Sequence, residues 1–332
     1  MNEFQALVLT KENDEATLSV KKLGVQDLPK GDVLIKVAYS SVNYKDAMVG
    51  VHHQMVKSFP HIPGIDLAGT VIESSDDSYK AGDNVIVTSY ELGTRHHGGL
   101  SEVARVPKEW VVPLPDGLTL REAMILGTAG LTAALSVQRL EDNGLTPSQG
   151  PVLVAGATGG VGSLAVDMLA KKGYDVTAST GSSSEKEYLK KLGAKEIISR
   201  EEVTDQDNTP TREKRWAAAV DPVGGSTLQY ILSTLKNSGS VATSGLVGGI
   251  EVKTTVLPFI GRGVNWLGID SVQCPMELRR KVWERLADDL KPSHLNEEVV
   301  NEVFLEEVEG TLQEILEGRV RGRTIVKLNG SE

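Results

Sequence analysis

The sequence predicts an α/β protein in two parts: a partly open β-barrel, then a doubly wound parallel sheet flanked by helices. Three observations predict it. Residues 1–115 hold many short β-branched or alternating runs separated by turn signals. From Pro151 onward, apolar strands alternate with stretches of helical period. The last apolar run, "GRTIVKLN" at 322–329, is a strand with no helix after it, so it is expected to return to the first part.

The barrel strands are expected at Phe4–Leu9, Thr17–Leu23, Val33–Tyr39, Leu67–Ile72, Asn84–Thr88 and Ser101–Val106. Pro29-Lys30-Gly31, Pro63-Gly64, Ala81-Gly82-Asp83 and Gly98-Gly99 punctuate them. Thr119-Leu120-Arg121-Glu122 has the spacing of a capping box and opens a long helix ending near Gly144. Beyond it, strands are expected at 152–155, 174–179, 195–198, 216–221, 240–244 and Gly263–Asp270. Helices are expected after the first strand and at 184–192, 226–235 and 276–290. The expected boundaries are 1–122, completed by 296–332, for the first domain and 123–295 for the second.

The segment "VLVAGATGGVGSLAVDMLAKKGYDVTAST" at 152–180 carries the first chemical signal. A strand buried on both faces leads into a turn crowded with glycines, then a helix whose apolar face is Val161, Leu164, Ala165, Met168 and Leu169. Glycine lets backbone approach a pyrophosphate, and a helix N-terminus offers unpaired N–H groups and a favourable dipole. Thr158, Gly159, Gly160, Val161 and Gly162 are therefore the candidate phosphate cradle. A glycine turn of purely structural use is the bland alternative; its place between a buried strand and an amphipathic helix favours a dinucleotide.

Composition narrows the classes. A chain of 332 residues with 24% charged residues is an ordinary globular composition with room for two cores. A net charge of −10 argues against nucleic acid or an anionic membrane as main partner. No signal-like block or bilayer-length apolar run stands out in the sequence. The single cysteine, Cys274, excludes an internal disulfide and fits a reducing cytoplasm. No Cys–His motif surrounds it, so it is read as packing.

The segments "PGIDLAGTV" (63–71), "GGLSEVARV" (98–106), "LGTAGLTAA" (126–134) and "GATGGVGS" (156–163) resemble the medium-chain dehydrogenase/reductase superfamily over essentially the whole chain. The resemblance implies a GroES-like barrel and a Rossmann domain. Zinc members place a cysteine near "NYKD" and a histidine in the Gly64 segment; here Asn43-Tyr44-Lys45-Asp46 and Ile65 stand there. His52-His53 and His96-His97 are read as loop or strand-end residues, since adjacent strand residues face opposite ways. No metal is expected. "SSVNYKDAMVG", "FPHIPGIDLAGTV", "LGIDSV" and "GRTIVKLN" are similar to the bacterial acryloyl-CoA reductase branch, whose members are also named as quinone oxidoreductases. That implies NADPH-dependent reduction of acryloyl-CoA to propanoyl-CoA by a homodimer. NADPH:quinone reduction is the second reading, and a non-catalytic NADPH-binding sensor is a third.

The residues themselves also favour NADPH. An NAD-specific fold ends its second strand with a carboxylate for the ribose 2′-OH. Here the strand runs into Thr180, Gly181, Ser182 and Ser183, which offer N–H and O–H donors to a 2′-phosphate. Arg200 follows the third strand and is a candidate phosphate contact, against the plainer reading of a solvated charge beside Glu201 and Glu202. The family often carries arginine where Ser182 stands, and Lys186 is one turn away. The resemblance places Tyr44 beside the cofactor, and Tyr44 and Asn43 are the candidate catalytic residues, against the plainer reading of a barrel tyrosine whose hydroxyl pairs with backbone; it also carries Leu246, Ile260, Ser271 and Asn329 over as cofactor contacts. Sequence alone would leave Leu246 and Ile260 in the core. Asp221 is expected to orient the "PVGG" loop.

Overall fold

The structure is a computed structural model; it describes residues 3–13, 15–295 and 300–328. The chain divides into two compact units, 1–128 with 272–284 and 295–332, and 129–271 with 285–294.

In the first unit, β1 (Glu3–Glu12) and β2 (Glu15–Gly24) form an antiparallel hairpin. A second sheet runs β14 (Val300–Val303), β15 (Arg323–Lys327), β3 (Val33–Val42), β4 (Asp66–Ser74), β5 (Asn84–Thr88) and β7 (Val111–Pro113). The organising strand is β3. Its first half pairs with β6 (Val103–Val106), and its second half pairs with β15. This change of partner bends the sheet around a core that includes Ile35, Val37, Leu67, Val85 and Val326. The tail strand thus sits in the first unit. The short strands β7 and β14 were missed by the sequence reading, as were α1 (Tyr44–Gly50) and α8 (Val308–Leu316). Gly50 lies against the Leu312 side chain, where a Cβ would crowd it.

The long helix α2 (Leu120–Asp142) starts at the expected capping box. Thr119 N–H donates to Glu122 at 2.9 Å, and Glu122 N–H donates to the Thr119 hydroxyl at 3.1 Å. Its length and composition would suit a membrane span, but 78% of its most apolar window is buried, and Gly127 breaks it at φ 51°, ψ −153°. It is a core helix of two pieces.

In the second unit all neighbouring strands are parallel, in the order β10 (Glu196–Ser199), β9 (Val176–Thr180), β8 (Val152–Val154), β11 (Trp216–Asp221), β12 (Leu235–Thr243), β13 (Asn265–Gly268). This is the doubly wound order, with its switch point between β8 and β11. The helices α3 (Gly160–Lys171), α4 (Lys186–Lys191) and α5 (Gly225–Thr234) follow β8, β9 and β11. The expected strand over Gly263–Asp270 shrinks to β13, because Gly263 is the left-handed C-cap of a short helix, α6 (Leu257–Arg262).

The segment 272–284 groups with the first unit, although the sequence reading had placed it in 123–295. The reason is Arg279 on α7 (Met276–Ala287). Its side chain is fully buried, donates to the Thr88 carbonyl and hydroxyl at 3.0 and 2.8 Å, and lies over the Tyr90 ring. No periodicity signals such a bond.

Candidate functional site

In the second unit the glycine turn is built as the sequence implies. Ala157 N–H reaches the Ser179 carbonyl at 3.0 Å, and Gly159 N–H reaches the Gly156 carbonyl at 3.1 Å. Gly159 is the N-cap of α3, so Gly160, Val161 and Gly162 form its first turn, whose N–H groups have no partner within a helix. A Cβ on Gly162 would overlap the Gly156 carbonyl oxygen and stand 2.8 Å from the Ala157 Cα. Thr158 to Val161 are half-buried at the C-terminal edge of β8, beside the switch point. A close-packed turn with free donors and no side chain in the way fits a pyrophosphate.

At the end of β9, Thr180 is buried while Gly181, Ser182 and Ser183 are exposed. The Ser182 N–H is held by the Thr180 hydroxyl at 3.1 Å. Thr180 pairs with Ser199 of β10, and the Arg200 N–H bonds the Thr180 carbonyl at 3.0 Å. That pairing brings the Arg200 guanidinium against Gly181, where a Cβ would overlap it. Arg200 is exposed and makes no ion pair among the described residues, which suits the plainer reading of a solvated charge and also leaves its guanidinium available to an anion. A cation, two hydroxyls and an exposed glycine backbone, with no carboxylate, fit a 2′-phosphate.

Across the switch point, the buried Asp221 carboxylate accepts from the N–H groups of Val223 at 2.9 Å and Gly224 at 3.0 Å. Asp221 thereby folds the "PVGG" loop, and burial raises its pKa. The loop after β12 packs backbone to backbone on this turn: a Cβ at Gly245 would overlap the Pro222 carbonyl. Leu246 and Ile260 are 58% and 76% exposed, which overturns the core assignment that sequence alone gives them. Ser271 is buried and accepts from the Thr132 hydroxyl at 2.8 Å. Asn329 lies outside the described residues.

In the first unit, Asn43 is the N-cap of α1 and Tyr44 its first residue. Tyr44 is 39% exposed, and its hydroxyl has no hydrogen-bond partner among the described residues. A barrel tyrosine tied to backbone is therefore not what the fold builds. Asn43 is buried and donates from its amide to Asp66 Oδ2 at 2.7 Å. Asp66 also accepts from the Ser41 hydroxyl at 2.7 Å, the Thr128 N–H at 2.8 Å and the Thr128 hydroxyl at 2.5 Å. Arg323 is buried beside them and donates to the Ile125 carbonyl at 2.8 Å and Asn43 Oδ1 at 3.3 Å. Sequence reading missed Ser41, Asp66, Thr128 and Arg323 as a group. "PGID", "LGT" and "GRT" lie far apart in sequence, and only β3, β4, β15 and the break at Gly127 bring them together.

Asp46, wholly buried on α1, accepts from the backbone N–H groups of Asn43 at 2.8 Å and Ile65 at 2.9 Å. Burial first, and the neighbouring Asp66 carboxylate second, push its pKa up to about 7. A raised carboxyl pKa means the native state holds the proton longer than the unfolded chain does. Its contribution therefore falls as pH rises from about 4 to about 7. On the acid side the buried His61 ring and the half-buried His96 and His97 rings act in the opposite sense. Desolvation holds His61 and His96 below the usual histidine range and His97 at about 4, so stability falls as pH drops below about 6.5. The Asp46→Asn variant, compared with the parent by denaturant midpoints at pH 5 and pH 8, is expected to gain relative stability at pH 8. An equal difference at both values would refute the assignment.

His52 and His53 are exposed at the end of α1, whereas His96 packs against Trp110 and His97 against His61. Among the described residues no group of three His, Cys, Asp or Glu side chains is placed to hold a metal ion.

Comparison with known proteins places this architecture. Residues 29–116 match the alcohol dehydrogenase GroES-like domain, and residues 160–288 match the zinc-binding dehydrogenase family. The chain is 57% identical to YhfP of Bacillus subtilis (strain 168), which carries a provisional quinone oxidoreductase name, over 98% of this chain and 99% of that one. The crystal structure of YhfP with NAD bound superposes with a TM-score of 0.96, covering 99% of this chain and 100% of that one at 56% identity. Acrylyl-CoA reductase AcuI of Ruegeria pomeroyi is 47% identical over 98% of this chain and 99% of that one. The yhdH oxidoreductase of Salmonella enterica, crystallised with NADP, is 44% identical with a TM-score of 0.94, covering 98% of this chain and 100% of that one. With the glycine cradle, the parallel sheet and the partner-switching barrel strand in place, these full-length likenesses make the chain a member of the medium-chain dehydrogenase/reductase family, in the branch that holds AcuI and YhfP.

Proposed function

We propose that this protein reduces the activated C=C bond of acryloyl-CoA to propanoyl-CoA with NADPH. The carrying observation is the end of β9, where Arg200 lies against Gly181 beside Thr180, Ser182 and Ser183 with no carboxylate to meet a ribose 2′-OH. The substrate side rests on the full-length likeness to AcuI. Bound NADPH supplies a hydride to the β-carbon of the enoyl thioester. The α3 N-terminus and the Gly156–Gly162 turn would hold its pyrophosphate, while Leu246 and Ile260 would offer exposed apolar surface to it. Negative charge then builds on the thioester oxygen, and a proton taken up at the α-carbon from solvent or a side chain completes the propanoyl thioester. A donor aimed at that oxygen lowers the barrier by about 3 kcal/mol, and the Tyr44 hydroxyl, which has no partner among the described residues, is the candidate for that role.

NADPH oxidation followed with acryloyl-CoA, crotonyl-CoA and a benzoquinone side by side tests the reading. The expected result is the highest kcat/KM with acryloyl-CoA. A higher value with benzoquinone transfers the chain to the quinone reading that the YhfP name favours. NADPH binding without turnover of any of the three would leave a sensor.

Arg200→Ala is expected to raise the NADPH KM on the order of tenfold, the loss of one charge-assisted bond, and to leave NADH nearly unchanged. Equal efficiency of the parent chain with both cofactors would sink the assignment. The NAD-bound YhfP structure makes this comparison decisive.

The homodimer is proposed through β13, the edge of the second sheet. Leu246, Val247, Ile250, Val256, Ile260 and Trp266 in the same unit are all exposed apolar side chains. The Ile269 N–H turns inward to Thr243 at 3.0 Å, so by alternation Leu267 also bonds inward, and Trp266 and Gly268 face the open edge. Proline therefore belongs at Gly268, where a side chain meets nothing within 4 Å. Light scattering is expected to give a dimer for the parent chain and a monomer for Gly268→Pro. A monomeric parent would end the proposal. The buried Cys274 accords with a cytoplasmic enzyme.

A further inference from the structure

We propose that Asp66 is a positioning residue for this reaction: its carboxylate locks the Asn43 cap and the Gly127–Thr128 break into one seat, and that seat fixes where Tyr44 stands. The inference rests on the reading of Tyr44 as the donor to the thioester oxygen.

Four observations carry it. Asp66 is fully buried, and both of its oxygens are engaged, by Ser41, Asn43 and twice by Thr128. Those donors come from three separate segments: the end of β3, the cap of α1 and the break in α2. A charge so enclosed stabilises less than apolar packing of the same volume would, so its retention points to geometric specificity. The break itself admits no side chain, since a Cβ on Gly127 would stand 2.5 Å from Asp66 Oδ2 and 2.8 Å from Ser41 Oγ. Finally, the backbone that closes the seat is strained. Ser89 and Tyr90 are consecutive non-glycine residues at φ 64° and 51°, and the Ser89 and Thr128 hydroxyls are hydrogen-bonded at 2.9 Å. Such conformations persist only where the surroundings over-determine them, and they cluster at functional sites.

The bonds lead to Tyr44 in two steps. Asp66 holds the Asn43 side chain, and Asn43, whose own N–H donates to Asp46 at 2.8 Å, is the N-cap residue directly before Tyr44, the first residue of α1. A first-turn residue has no preceding turn to brace it, so its direction is set by the cap. Loosening the cap should leave Tyr44 in place as a residue but spread its hydroxyl over more positions. A displacement of about 1 Å at a reacting group can cost on the order of a hundredfold in rate.

The test uses the full-length protein with Asp66→Asn, Thr128→Val and Thr128→Ser. An amide at 66 replaces one acceptor oxygen by a donor, valine removes the Thr128 donor, and serine keeps it. Three measurements are made: steady-state kinetics giving kcat and KM for NADPH with acryloyl-CoA, the primary isotope effect with C4-deuterated NADPH, and amide hydrogen exchange over Tyr44–Gly50. For Asp66→Asn and Thr128→Val the expected result is a fall in kcat of about tenfold or more, an NADPH KM within about threefold of the parent, and a larger isotope effect. Exchange over Tyr44–Gly50 should quicken by about tenfold while β8 and β11 keep their protection. Thr128→Ser should resemble the parent in all three. A merely structural role would lower the folded fraction and leave the isotope effect per folded molecule unchanged. The proposal is overturned if exchange over Tyr44–Gly50 is unchanged, or if it quickens while kcat and the isotope effect stay at parental values. Should Asp66→Asn fail to fold, the valine and serine pair at 128 decides the same question. A parent chain inactive with acryloyl-CoA and benzoquinone would defeat the functional reading, and the exchange experiment would still decide whether the seat exists.

Discussion

Gly127→Ala is expected to lower the melting temperature by about 10 °C and to remove most activity per folded molecule. Two costs combine. An L side chain at φ 51°, ψ −153° occupies a backbone region that is essentially glycine's, at about 1–3 kcal/mol. The added Cβ must also push aside the Asp66 carboxylate at 2.5 Å, the Ser41 hydroxyl at 2.8 Å and the Arg323 guanidinium at 3.1 Å, all of them buried. Disturbing a buried hydrogen-bonded charge adds roughly another 1–3 kcal/mol. Gly144→Ala is the control, because Gly144 also has a positive φ, 88°, but its Cβ would meet nothing within 4 Å. That variant carries backbone strain alone and should shift the melting temperature by only about a third as much. Similar shifts in the two variants, measured by calorimetry, would show that the Asp66 cluster does not constrain the site.

Tyr44→Phe is expected to reduce kcat/KM with acryloyl-CoA by roughly ten- to a hundredfold, the loss of about 1–3 kcal/mol at the transition state. The melting temperature should hardly move. The hydroxyl has no partner among the described residues and the side chain is 39% exposed, so its removal leaves no buried group unsatisfied. The contrast between rate and stability is the discriminating feature. A parental rate for the variant would return Tyr44 to an ordinary surface residue. An unchanged kcat with a raised KM would assign its hydroxyl to ground-state binding.

Both predictions concern one place in the first unit, and that place was only half legible beforehand. "NYKD" drew attention to Asn43 and Tyr44 because metal-bearing relatives use that position. Their partners did not announce themselves. Asp66 stands at the head of an apolar strand, Thr128 inside an apparently continuous helical stretch, and Arg323 in a tail strand 280 residues from Asn43. Helical spacing across 120–142 gives no hint of the break, because the break is set by what the carboxylate requires.

The second unit was easier to read. A three-residue buried strand, a glycine turn and an amphipathic helix are bound together by local rules, so the cradle of Gly156–Gly162 follows from spacing alone. The approach of Arg200 to Gly181 was foreshadowed too, since neighbouring parallel strands bring their C-terminal ends side by side. Leu246 and Ile260 went the other way. Apolar residues after a sheet strand read as core, yet Leu246 is exposed on a loop shaped by the glycine contacts at 224, 225 and 245, and Ile260 is exposed on the short helix α6.

By itself, then, the sequence determined the architecture, the glycine turn between β8 and α3, and the lack of a carboxylate at the end of β9, because periodicity, glycine and charge act over a few residues. Only the tertiary structure decided that Asp66, Thr128 and Arg323 meet around Asn43, that Asp46 is pushed up to about 7, and that Arg279 ties 272–284 to the first unit. These depend on burial and on hydrogen bonds between distant segments, whose energies exist only once the chain has brought them within about 3 Å of each other.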